Sequence, residues 1–156
     1  MAIASRGGHW VELRRLRPAW AGCAVSYVTT DGGYLDEVKR DPVDTEAPDP
    51  RFFVVTDASR WDRWLLAKQM VMVLLLVLRI RPDVIVTTGA APGYFAVRFG
   101  KLFGARTIWV DSVANAESLS LSGELAGRYC TLWLTQWHHL AGEDRRPGPL
   151  YRGAVL

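Results

Sequence analysis

The sequence predicts an α/β fold, a parallel sheet with helices on both faces. Short β-rich apolar runs alternate with stretches of helical periodicity along all 156 residues. Two of those runs, "DVIVTT" (83–88) and "RTIWVD" (106–111), are apolar without a break, as strands buried on both faces are. Four runs end in small or polar residues, "SRGGH", "TDGG", "TGAAPG" and "DSVAN". In an open α/β sheet those ends line the ligand crevice.

The elements follow in order. The apolar run 2–4 is the first strand and leads into Gly7 and Gly8. In "HWVELRRLRP", Trp10, Leu13 and Leu16 fall at helical spacing and Pro18 closes the segment. "AVSYVTT" (24–30) reads as a strand that ends at the turn signal "DGG". "RDPVDTEAPDP" (40–50), rich in proline and acidic residues, reads as a solvated loop, and "RFFVV" as the third strand. Between the two continuous apolar runs, "PGYFAVRFGKLFGA" has Pro92 near a helix start and Gly104 near its end. "LWLTQW" (132–137) is a further strand before a tail rich in glycine and proline. No internal repeat or low-complexity segment interrupts this order. It describes one Rossmann-like domain over 1–156.

Composition narrows the function classes. A content of 49% hydrophobic and 22% charged residues suits a folded globular chain. Seven tryptophans suit an interface with a partner, a ligand or a membrane surface. A net charge of +3 permits attraction to anionic lipid or sugar-phosphate. It lacks the dense basic stripe of a nucleic-acid binder, so no nucleic acid is expected. Cys23 and Cys130 have no His or Cys at ligand spacing and are expected as buried thiols in a reducing cytoplasm. His138 and His139 lack further ligands nearby and read as surface residues, so no metal and no cofactor are expected. The opening "MAIAS" is too short for a signal peptide or an anchor, which places the chain in the cytoplasm as an expectation.

Residues 60–81, "RWDRWLLAKQMVMVLLLVLRIR", form a hydrophobic helix. Its unbroken apolar part, 70–78, falls well short of the about 20 residues a transmembrane helix wants, so spanning is not expected. Two readings stay open. The helix is a crossover packed broadly on the sheet, or it also dips an outer face into a membrane interface. Trp61 and Trp64 at one end, with Arg79 and Arg81 at the other, suit headgroup contact.

The strand-end loops hold the candidate site. Gly7 and Gly8 let backbone approach a ligand, and the following helix offers free N–H groups and a positive dipole end. The segment is neither G-x-G-x-x-G nor G-x-x-x-x-G-K-[ST], so a donor-nucleotide role is not assigned to it. His9 stands where a base reaches the crevice, or where a helix-start histidine bonds the loop. Gly89, with Ala90 and Ala91, leaves room at the crevice, and Pro92 with Gly93 begins the next helix. Strand-to-helix packing explains that turn equally well. Asp111 and Ser112 stand at a strand end, where a carboxylate accepts from sugar hydroxyls, acts as a base or caps a helix.

"SRGGHWVELRRLRP", the segment from "PDVIVTTGAAPGYFAV" to "WVDSVANAESLSLSGELAG", and "LWLTQWHHLA" resemble the acceptor-side, membrane-associating subunit of split UDP-sugar glycosyltransferases. Members include a subunit of the eukaryotic lipid-linked N-acetylglucosaminyltransferase and bacterial exopolysaccharide and capsule counterparts. The resemblance implies the N-terminal half of a GT-B glycosyltransferase, with the UDP-sugar half on a separate donor-binding subunit. It implies a polyprenyl-pyrophosphate-linked sugar as acceptor and a peripheral place on the cytoplasmic face of an anionic membrane. Gly7, Gly8 and His9 would then face the acceptor pyrophosphate and its attacking hydroxyl. Gly89, Pro92, Gly93 and Tyr94 match the family's second glycine loop, and Asp111 with Ser112 its acidic–serine pair. Arg6 stands where small residues are common in the family. After Leu134 only about 22 residues remain, too few for a second α/β domain, so a partner chain is expected. The tail 141–156 is expected at that interface.

The leading expectation is an inverting sugar transfer with His9, or else Asp111, as base. The alternative is a non-catalytic membrane-recruiting scaffold that activates a partner transferase. A standalone nucleotide-dependent enzyme is a third reading, weakened by the missing fingerprint.

Overall fold

The computed structural model describes the chain except residues 42–46, 60, 143–147 and 156. Part of the expected 40–50 loop, the first residue of the 60–81 helix and part of the tail therefore lie outside the described residues. Among the described residues seven strands form one all-parallel sheet: β1 (Ala2–Ile3), β2 (Ser26–Thr29), β3 (Arg51–Val54), β4 (Val84–Thr87), β5 (Arg106–Val110), β6 (Leu132–Thr135) and β7 (Leu150–Tyr151). Their order is β3-β2-β1-β4-β5-β6-β7. The chain thus winds outward one way from β1, crosses over, and winds outward the other way from β4. The β1/β4 boundary is the topological switch point, where open α/β sheets bind ligands.

β1 has two residues yet sits in the middle. Ala2 pairs with Tyr27 and Val86, and Ile3 with Val28 and Thr87. Both side chains are buried, which is why so short an apolar run suffices. The helices divide between two faces. On one face lie α1 (Gly8–Arg15) and α2 (Leu35–Lys39), whose Trp10, Leu13 and Val38 pack with Ala2, Ala4 and Tyr27. On the other, Val73 and Val77 of α3 (Arg63–Ile80) join Phe95 and Ala96 of α4 (Ala90–Leu102) over Ile3, Val28 and Ile85. Ala126 of α5 (Leu121–Ala126) completes that layer against Trp109 and Val97.

Local chemistry explains most boundaries. Asp62 caps α3 by accepting from the N–H groups of Trp64 and Leu65 at 3.1 and 3.0 Å. α4 begins two residues ahead of Pro92, which sits in the first turn, where its missing N–H leaves no helix bond unmade. α1 stops at Arg15, and Pro18 belongs to the 3-10 turn Arg17–Trp20 that follows. The expectation of two buried thiols is corrected. Cys23 is exposed, carried to the surface just after the positive-φ turn at Gly22. Cys130 is half-buried, its thiol donating to the Ala126 carbonyl and pushed up to about 12 by burial. His138 and His139 are exposed.

The hydrophobic helix is a crossover that also leaves an apolar outer face. α3 buries Gln69, Val73 and Val77 against the sheet, while Trp64, Val71, Leu75 and Leu78 remain open. Trp61 and Trp64 are 81% and 85% exposed. Among the described residues no helix is long and apolar enough to cross a membrane.

Trp10 anchors the α1 side. Fully buried, it stacks on Tyr34 with ring centres 4.9 Å apart and donates from Nε1 to Glu37 at 3.1 Å. The Arg14 guanidinium lies over the Trp10 and Tyr27 rings and pairs with Glu37 and Asp41. Trp10→Ala empties this space and should cost about 3–5 kcal/mol of stability, read as a lowered midpoint in urea unfolding.

Candidate functional site

The loops after β1 and β4 meet at the switch point. In the first, Gly7 has φ 79°, a left-handed conformation that favours glycine. Its N–H donates to the Tyr34 hydroxyl at 3.0 Å, and the Arg6 N–H to Thr30 Oγ1 at 3.0 Å. The Arg6 side chain reaches out to Asp57 at 3.2 Å. α1 then opens without a side-chain cap and without an acidic residue in its first turn. The first N–H groups of such a helix have no intrahelical acceptor and present a positive dipole end.

The second loop has the same character. Gly89 has φ 135°, Ala90 follows at φ 62°, and α4 also opens with no side-chain cap and no acidic first turn. A non-glycine residue at positive φ is strained, and such strain gathers at ligand sites. The Gly89 N–H donates to Thr87 Oγ1 at 3.2 Å.

His9 joins the two loops. Its Nδ1 lies 2.9 Å from the Thr88 carbonyl oxygen, and the Thr88 hydroxyl donates to the His9 carbonyl at 2.6 Å. The imidazole rests on Gly89, where a Cβ would come within 2.8 Å of Cε1. Glycine is therefore required there twice over, by backbone conformation and by space. Gly7, Gly8, His9 and Gly89 are thus brought together at one crevice, with two uncapped helix starts pointing into it.

The other residues singled out in the sequence lie behind this crevice. Pro92 and Gly93 are buried, and Gly93 comes so close to Thr87 that a Cβ would meet Oγ1 at 2.2 Å. Tyr94 packs among Phe95 and Tyr129. Asp111 is 1% exposed, and its two oxygens accept from Trp109 Nε1, Asn115 Nδ2, the Ser120 N–H and the Ser120 hydroxyl. Four donors occupy this carboxylate, so it organises the 111–120 loop and has no lone pair to offer the crevice. The Ser112 hydroxyl donates to Glu12 at 2.6 Å and is equally committed.

Glu12 and Gln136 are the residues that sequence reasoning missed. The buried Glu12 carboxylate accepts from Ser112 Oγ, the Val113 N–H and Gln136 Nε2 at 2.6, 3.3 and 2.8 Å. Gln136 also donates to the Asp111 carbonyl and accepts from the Val155 N–H at 2.7 Å, tying in the tail. Spacing gave no signal for Glu12, which stands about 200° around the helix from Trp10, away from the stripe that packs on the sheet.

A separate cavity of about 720 Å³ opens at the N-terminal end of β2, lined by Pro18, Trp20, Tyr27, Val38 and Phe52 among others. It lies at the opposite end of the sheet from the glycine loops and brings none of the crevice residues together. Among the described residues no cluster of three or more His, Cys, Asp or Glu could hold a metal ion.

Asp111→Asn replaces one of the acceptor oxygens with a donor facing donors. It should cost about 1–3 kcal/mol, measured by urea unfolding.

A family model described as "Oligosaccharide biosynthesis protein Alg14 like" matches residues 62–153. Over 87 residues, 52% of this chain, the sequence is 36% identical to the UDP-N-acetylglucosamine transferase subunit ALG14 of Yarrowia lipolytica, of which it spans 39%. The crystal structure of MurG from Acinetobacter baumannii is similar with a TM-score of 0.70, over 97% of this chain and 44% of that one, at 12% identity. UDP-GlcNAc 2-epimerase from Methanocaldococcus jannaschii is similar with a TM-score of 0.59, over 86% of this chain and 38% of that one, at 11% identity. At such identities these structures speak for the fold. It is the expected Rossmann-like α/β sheet, equivalent to the N-terminal half of a GT-B glycosyltransferase.

Proposed function

The chain belongs to the Alg14-like family of oligosaccharide biosynthesis proteins, and from that membership we propose that it is the acceptor-side subunit of a two-chain glycosyltransferase. It acts as a single acceptor-binding domain over 1–156. The partner subunit holds a UDP-sugar, and the acceptor is a polyprenyl-pyrophosphate-linked sugar. The observation that carries this reading is the meeting of two uncapped helix starts, at Gly7–Gly8 and at Gly89, with His9 between them.

Each part has a role that its chemistry fits. The free N–H groups of α1 and α4 hold acceptor phosphate oxygens without a cation. His9 takes the proton of the acceptor hydroxyl as that oxygen bonds to the anomeric carbon and the UDP leaves with the electrons of the broken bond. Asp111, Ser112 and Glu12 hold the loops; Pro92, Gly93 and Tyr94 set α4 against the sheet. The donor side of the cleft is supplied by the partner, since the described residues form one Rossmann-like sheet.

The outer face of α3 rests on an anionic membrane, with Trp61, Trp64, Leu75 and Leu78 at the acyl boundary and Arg63, Arg79 and Arg81 among the headgroups. In this reading the chain sits peripherally on the membrane, on its cytoplasmic face. The tail 141–156 lies at the partner interface. Beside it Ile108, Leu132 and Leu134 stay half-buried.

Coexpression with a candidate donor-binding chain, assayed with UDP-N-acetylglucosamine first and a polyprenyl-pyrophosphate-linked sugar, tests the two-chain reading. Product should need both chains, and equal turnover by this chain alone would refute it. In the pair, His9→Ala should lower kcat about 100-fold or more. Full turnover by that variant would instead favour a scaffold that recruits and activates its partner. Replacing Trp61 and Trp64 together by Ala should weaken sedimentation with phosphatidylglycerol vesicles about tenfold, and unchanged sedimentation would remove α3 from the membrane contact.

A further inference from the structure

We propose that Thr88 is a positioning residue that fixes the tautomer of His9, so that Nε2 is the nitrogen that takes the proton. This rests on the reading of His9 as the base.

A carbonyl oxygen only accepts. The 2.9 Å contact between His9 Nδ1 and the Thr88 carbonyl is therefore a bond in which Nδ1 donates, and neutral His9 carries its proton there. Nε2 is left with its lone pair. Among the described residues no group bonds Nε2, and a Cβ at Gly89 would meet Cε1 and Nδ1 before Nε2.

Thr88 holds this arrangement from both ends. Its hydroxyl donates to the His9 carbonyl at 2.6 Å while its own carbonyl accepts from the ring. The residue is fully buried, so neither bond competes with water. Two bonds from one residue to backbone and ring of another, across 79 positions of sequence, leave the imidazole little freedom to turn. Histidine bases are commonly oriented by a group on the nitrogen that does not react. Here a backbone carbonyl does that work, and the threonine hydroxyl sets the distance between the two loops.

The experiment has a spectroscopic and a kinetic arm. Long-range ¹H–¹⁵N correlation of the histidine rings in the full chain reads the tautomer directly. Wild-type His9 should show protonated Nδ1 and unprotonated Nε2. Thr88→Val keeps the carbonyl but removes the hydroxyl, and should mix the two tautomers. In the complex with the donor-binding chain that variant should lower kcat about tenfold with little change in KM, and Thr88→Ser should restore both signal and rate. Protonated Nε2 in the wild type would overturn the proposal while leaving His9 as a base. A Thr88→Val chain with unchanged ring signals and unchanged kcat would overturn it as well. A His9→Ala complex with full turnover would bring down the base reading itself, and the positioning role with it, whatever the tautomer.

Discussion

The crevice depends on one buried carboxylate. Glu12 belongs to α1, but its three donors come from Ser112, Val113 and Gln136, on the loop after β5 and at the end of β6. A carboxylate left without donors in such a place is costly by several kcal/mol, so these bonds dictate where α1 sits. His9 lies one turn earlier on the same helix. The position of the imidazole is thus set from two sides, by Thr88 at its ring and by Glu12 one turn below.

Sheet order explains why glycines occur where they do. The chain winds away from β1 and β4 in opposite directions, so α1 and α4 leave the switch point on opposite faces. Their first turns must come close together before they diverge. Gly7, Gly89 and the strained Ala90 take the positive φ values of the turns that lead into these helices, and at Gly89 the His9 ring also leaves no room for a Cβ. Both helix starts are uncapped, because glycine stands at each N-cap position and has no side chain to offer.

The sequence made some of this legible and hid the rest for physical reasons. β4 and β5 were readable because strands covered on both faces need no polar residue for several positions. The glycine loops were readable because Gly-Gly and Gly-Ala-Ala-Pro punctuate strand ends. α2, α5 and β7 were not, since elements of 5, 6 and 2 residues carry too little periodicity. Asp111 was visible as a strand-end carboxylate, but its direction was not. It shares the side of the strand with Trp109, and so turns into the α5 layer instead of the crevice. The His9–Thr88 and Glu12–Gln136 bonds join residues 79 and 124 positions apart, and a single sequence records no such pairing.

The two walls of the crevice differ mechanically. α4 lies directly on the sheet, for Gly93 and Gly100, two turns apart, let its backbone come down onto Thr87 and Ile85. That wall is a fixed reference surface, and moving it means unpacking the core. α1 is held by the fully buried side chains of Trp10 and Leu13 over the sheet, with polar bonds from the loops to its buried Glu12. The Gly89 wall is thus seated by backbone lying on the sheet, and the His9 wall by large side chains together with one buried carboxylate.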